Sequence, residues 1–170
     1  MNKFTRVMRH LTATRFSGRK AFPSRTLAAI QAEITAGESV HRAEVRLIVE
    51  PALDLSAVWS GLTSRQRAGE LFTHYRIWDT EENCGVLIYI NLADHHVEIF
   101  TDRGIARLIP ADHWRAVCKT MTDGFALGHY HDSSIAGLQQ LNALLHTYFP
   151  EGDAPQTQPA NQLSNQPILL

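Results

Sequence analysis

The run from Gly85 to Thr101, "GVLIYINLADHHVEIFT", decides the fold. Val86, Leu87, Ile88, Tyr89 and Ile90 are apolar at successive positions, so a strand here must be covered on both faces, as between two layers. Asn91 to His95 is a short connection and Val97 to Thr101 a second strand, so the two form an antiparallel hairpin. Upstream, in "HRAEVRLIVE" (His41 to Glu50), Val45, Leu47 and Val49 alternate with Glu44, Arg46 and Ile48, the two-residue repeat of a strand, and Pro51 closes it. A helix separates that strand from the hairpin, which makes the first pair parallel with a right-handed crossover. The expected fold is α/β: a three-layer α-β-α sandwich around a small mixed β-sheet.

The flanking segments supply the helices. Phe4, Val7, Met8 and Leu11 repeat at helical spacing, and this short amphipathic helix is expected to dock on the domain by that stripe. A basic amphipathic helix can instead lie on a membrane surface. A loop from Thr14 to Lys20 leads to a helix opened by Pro23, with Leu27, Ile30 and Ile34 inward, ended by Gly37. Thr63 or Ser64 caps the crossover helix, which carries Ala68, Leu71, Phe72 and Tyr75 on one side. Pro110 begins a helix with Trp114, Val117, Cys118, Met121 and Phe125 inward. Asp132 caps a last one with Ile135, Leu138, Leu141, Leu145 and Tyr148 inward, and Pro150 stops it. Residues 1–22 form an N-terminal helix and linker, 23–150 the domain, and 151–170 a tail rich in Pro, Gln and Asn that should be disordered or lie along a neighbour.

Composition narrows the function. A chain of 170 residues, 44% hydrophobic, can bury one real core. A net charge of -1 provides no field for wrapping nucleic acid, so none is expected as a partner. Cys84 and Cys118 lie far apart without CxxC spacing and read as reduced thiols. No stretch approaches the ~20 apolar residues of a membrane span, and no signal-peptide pattern opens the chain. A cytoplasmic protein is expected.

The loop "RIWDTEENCG", the hairpin running on to Gly104 and Ile105, "LIPADHW" and "MTDGFALGHYHDSSIAGLQQL" together resemble the TPM domain, a family also labelled as phosphatases. The resemblance spans roughly residues 23 to 150. Its most specific parts are Asn83 with Gly85, the strand ending near Gly104, and Phe125, Gly128 and Tyr130 in an F-x-x-G-x-Y pattern. The resemblance implies an α-β-α sandwich. It also implies acid-phosphatase-like activity in some members, calcium or another divalent ion in an acidic cleft at the strand ends in others, and membrane tethering in many. Three departures stand out. "FSGRKAFPSRTLAAI" replaces the family's Asp-containing segment, Asp102 and Ala106 replace a glycine and an acidic residue of G-x-G-L-E, and signal peptide and anchoring helix are missing.

The candidate site gathers where the loop Asp79-Thr80-Glu81-Glu82-Asn83 meets the hairpin's end. Asp79, Glu98 and Asp102 are the candidate metal ligands, suited to Ca2+ or Mg2+ by their hard oxygens. Asp102 and Arg103 are the candidate catalytic pair, Arg103 receiving a phosphate. Glu98 and Asp102 share a strand face roughly 13 Å apart by backbone rise, so joint chelation needs a bend, which Gly104 permits. Alternatively, Glu98 is a salt-bridged strand residue, Asp102 caps the following turn, and the loop is only a solvated turn. Arg46 should pair with a nearby carboxylate. The nine histidines show no zinc spacing, and His129, His131, Ser133 and Ser134 have no catalytic context. Two functions follow: a metal-assisted phosphoric-ester hydrolase, or a non-catalytic interaction module. In the second, Trp59, Tyr75, Trp78 and the N-terminal helix meet a protein partner, including one bound to a membrane.

Overall fold

The computed structural model describes residues 2–152 and 162–170. Its elements run α1 (Lys3–Thr12), α2 (Arg15–Ala21), α3 (Ser24–Glu38), β1 (Glu44–Glu50), α4 (Leu55–Ser60), α5 (Ser64–His74), β2 (Gly85–Asn91), β3 (His96–Thr101), α6 (Arg103–Ala106), α7 (Ala111–Ala126), α8 (Tyr130–Tyr148) and β4 (Ile168–Leu169). The sheet order is β3-β2-β1-β4. β1 and β2 are parallel, Glu44 opposite Gly85 through Glu50 opposite Asn91, and β3 folds back antiparallel on β2.

Strand alternation sorts the core into two clusters, one on each side of the sheet. Val45, Leu47, Val49, Val86, Ile88 and Ile90 pack with Ile30 and Ile34 of α3, Val117 and Met121 of α7, and Leu138, Leu141 and Leu145 of α8. Ile48, Leu87 and Tyr89 face the other way, onto Ala68, Leu71 and Phe72 of α5. Every residue of β2 is buried, which is why its run is apolar throughout. The three-layer sandwich is therefore the fold.

Several local expectations are corrected. Thr14 and Ser17 form a capping box, so the stretch read as a loop is helix α2. α4 lies between β1 and α5, where no element is expected from the sequence, and its end is set by Gly61 in the left-handed region. α8 starts at Tyr130 after His129, which leaves Asp132 inside the first turn rather than at the cap, and Tyr148 is exposed.

Of the two expectations for the tail, disorder is corrected for residues 162–170, which lie along β1; residues 153–161 lie outside the described residues. Ile168 and Leu169 pair in parallel with Ile48 and Val49, adding the fourth strand. Glu44 accepts from the amides of Gln162 and Leu163 at 3.2 and 3.1 Å, and Arg46 donates to the Ser164 carbonyl. Arg46, expected to pair with a nearby carboxylate, and Glu44 thus hold this segment, and Leu163, Ile168 and Leu170 pack beside Ile48. An open strand edge and an apolar end, Pro167 to Leu170, satisfy one another.

Candidate functional site

The junction predicted between the loop and the hairpin exists, but it is built mainly of backbone. The Asn83 carbonyl accepts from Gly104 N at 3.1 Å, and Asp102 N donates to the Gly85 carbonyl at 2.9 Å. Asn83 has φ 53°, the left-handed region that asparagine tolerates. A Cβ on Gly104 would stand 2.5 Å from the Asn83 oxygen, and one on Gly85 only 1.9 Å from the Ile77 carbonyl oxygen. Asn83, Gly85 and Gly104 are thus a close approach between the loop and strand ends. Phe125 and Tyr130 stack at 5.3 Å, both against Phe22, while Gly128 turns α7 into α8 at φ +80°. The residues that carry the family resemblance most specifically are architecture here.

The candidate ligands are dispersed among other partners. Glu98 lies 2.9 Å from His96 Nε2 and 3.6 Å from Arg65 Nη1, and its hydrogen bond raises the His96 imidazole above its ordinary value. Asp102 caps α6, its Oδ1 accepting from Arg103 N at 2.7 Å. Asp79 is exposed, and Glu82 pairs with Arg42 at 2.7 Å. Arg103 is exposed, with Nε 3.4 Å from Asn83 Oδ1. Among the described residues no three His, Cys, Asp or Glu side chains are grouped to hold a metal ion. Asp79, Glu98 and Asp102 thus do not fit a shared Ca2+ or Mg2+ site. One feature points the other way: Asp102 Oδ2 is buried without a hydrogen-bond partner.

Two charged networks that the residue pattern did not indicate lie at the carboxyl ends of β1 and β2, the end of a parallel sheet where ligands usually bind. Glu50, the last residue of β1, accepts two bonds from Arg67 at 2.8 and 3.0 Å and one from the Tyr89 hydroxyl at 2.6 Å. These three bonds hold the Glu50 carboxylate. Bonding to Glu50 raises the Arg67 guanidinium, while burial, then the Glu50 charge, raises the Tyr89 phenol. A crevice of about 280 Å³ opens beside them, lined by Asp54, Ser60 and Glu70 among others. The sequence signal was a carboxylate closing an apolar strand.

The second network holds α1. Arg6 donates to Asp94 through Nε at 2.9 Å and Nη2 at 2.7 Å, and to the Leu62 carbonyl at 2.6 Å. His10 is buried; its Nδ1 accepts from Leu53 N at 2.9 Å, which leaves the proton on Nε2, facing Asp94 Oδ1 at 3.2 Å. Burial raises the Asp94 carboxyl, but Arg6 and His10 outweigh it and hold it below its ordinary value.

α1 therefore docks by its polar side, which corrects the expectation that its apolar stripe faces the domain. Of the stripe, Phe4, Met8 and Leu11 are 69%, 44% and 52% exposed and Val7 is half-buried. α4, which packs on α1, exposes Leu55 at 44% and Trp59 at 69%. Trp78 is also exposed and Tyr75 half-buried. No helix among the described residues is long and apolar enough to cross a membrane.

A family model described as the TPM domain matches residues 18–144. In fold the chain is similar to the BA42 protein of the psychrophilic bacterium Bizionia argentinensis, solved by NMR. The two are 22% identical with a TM-score of 0.74, over 87% of this chain and 94% of that one. Among curated proteins none matches.

Proposed function

This chain belongs to the TPM domain family, and we propose that on this fold it works in the cytoplasm as a docking module, engaging a partner surface through the outward faces of α1 and α4. One observation carries the reading: α1 is anchored by Arg6 and His10 while Phe4, Met8 and Leu11 point to solvent. Folding alone would place a helix's apolar stripe against the core. An inverted helix held by a half-buried ion pair and a buried, hydrogen-bonded imidazole leaves an apolar patch, the usual mark of an interaction site. Substituting Phe4→Gln, Met8→Gln and Leu11→Gln together keeps helix propensity. The melting temperature should stay within about 2 °C, as for surface changes. A fall of 10 °C or more, on the order expected when several core residues become polar, would mean that this face belongs to the core and would sink the reading.

A second reading, a divalent cation held by Asp102 in a phosphatase-like protein with Arg103 on the phosphate, has the orphaned Oδ2 of Asp102 in its favour. An unpaired buried polar oxygen costs about 1–3 kcal/mol, which a cation or a proton would relieve. Under this reading, calcium or magnesium at a hundred times its Kd adds about 2.7 kcal/mol to stability. Melting should rise with ion and fall back with chelator, and Asp102→Asn should abolish both the rise and any hydrolysis of an aryl phosphate. A melting curve indifferent to millimolar ion removes this reading.

A further inference from the structure

We infer that the surface met by α1 and α4, with the cations of α1 and α2 beside it, is a lipid bilayer bearing anionic headgroups, an inference that rests on the docking reading and names its partner. Charge complementarity selects this occupant. Seven of the 16 Lys and Arg residues and none of the 17 Asp and Glu residues lie in residues 1–32, so this segment carries +7 and the rest of the chain -8. Arg6 pairs with Asp94. Lys3, Arg9, Arg15, Arg19, Lys20 and Arg25 are all exposed. On α1 and α2 these cations share helices with Phe4, Met8, Leu11 and Phe16, the last 78% exposed.

An apolar helix face with Lys and Arg beside it is the composition of a helix lying in the membrane interface, its apolar side about 5–10 Å deep. Trp59, with an apolar ring and a polar N–H, suits the headgroup level. Against an anionic surface the negative remainder of the chain is repelled while residues 1–32 are attracted, so the charge division orients the molecule with α1 and α2 downward. An apolar protein groove would use Phe4, Met8 and Leu11 but gives no reason for a cationic segment free of any carboxylate.

The experiment is co-sedimentation of the full chain with vesicles of phosphatidylglycerol mixed into phosphatidylcholine, against vesicles of phosphatidylcholine alone. Binding to the mixed vesicles, a blue shift of tryptophan emission and release by salt are expected. Phe4→Gln/Met8→Gln/Leu11→Gln should weaken partitioning at least about tenfold. Arg15→Gln/Arg19→Gln/Lys20→Gln should weaken it about fivefold per cation removed. Melting curves of both variants establish that they fold. Equal binding to both vesicle types overturns the inference, as does no binding at low salt. So does concentration-dependent self-association abolished by the apolar triple, which would assign the face to a second copy. In each case an unchanged melting temperature of the apolar triple leaves the docking reading standing, whereas its collapse would overturn both.

Discussion

Arg67→Met should cost about 3–5 kcal/mol, the penalty of leaving a buried carboxylate without its cation. Glu50 is 6% exposed at the end of β1, and its side chain is held by the two Arg67 bonds and the Tyr89 hydroxyl. Methionine keeps much of the aliphatic stem of Arg67, so the loss reports the charge and its hydrogen bonds. Urea unfolding at neutral pH measures it. Adding Glu50→Leu and Tyr89→Phe to Arg67→Met should recover most of the loss, because an apolar trio of similar volume leaves no buried charge. A cost below about 0.5 kcal/mol for the single change, the level of a surface substitution, would mean that water reaches Glu50 and that the network is not a buried latch.

The same physics explains what was legible in the chain and what was not. Parallel and antiparallel pairing, both helix layers and most inward residues follow from periodicity, since Val45, Leu47 and Val49 or Val117 and Met121 each repeat at the period of their element. Partner choice has no period. Arg6 and His10 stand four residues apart on a helix whose apolar stripe is equally regular, and partners far along the chain, Asp94, the Leu62 carbonyl and the Leu53 amide, decide which side is inward. The residue pattern was right about the helix and wrong about its orientation because the Arg6–Asp94 ion pair and the buried His10 imidazole overrode burial of Phe4, Met8 and Leu11. The tail was misread for a related reason. Its composition lacks a stripe, yet one strand edge and the Glu44 carboxylate suffice to order its end. At the candidate site, residue type alone could not separate Glu98 as a ligand from Glu98 as the partner of His96 and Arg65, and the contacts fall on the second.

Gly85→Ala should be the most damaging single methyl in the protein, at about 3–5 kcal/mol, beyond the usual overpacking cost. Glycine is needed here for space, because the added Cβ would fall 1.9 Å from the carbonyl oxygen of Ile77 and 2.9 Å from its carbon. Neither neighbour can yield. Ile77 is fully buried, and β2 is clamped on both sides, by β1 from Glu44 opposite Gly85 and by β3 from Thr101 opposite Val86. The strain must therefore shift backbone at the start of the central strand, loosening the Asn83 turn and the Asp102 amide bonded to the Gly85 carbonyl. Gly69→Ala is the matched control of opposite sign. On α5 the new methyl meets only the Phe100 ring at 3.4 and 3.6 Å, ordinary contact, and alanine in a helix interior is favoured over glycine by roughly 0.5–1 kcal/mol. Thermal melts of the two variants side by side should diverge, Gly85→Ala downward by many degrees and Gly69→Ala unchanged or upward. If the two behave alike, the tight seam between Ile77 and Gly85 is not what holds the loop to the sheet.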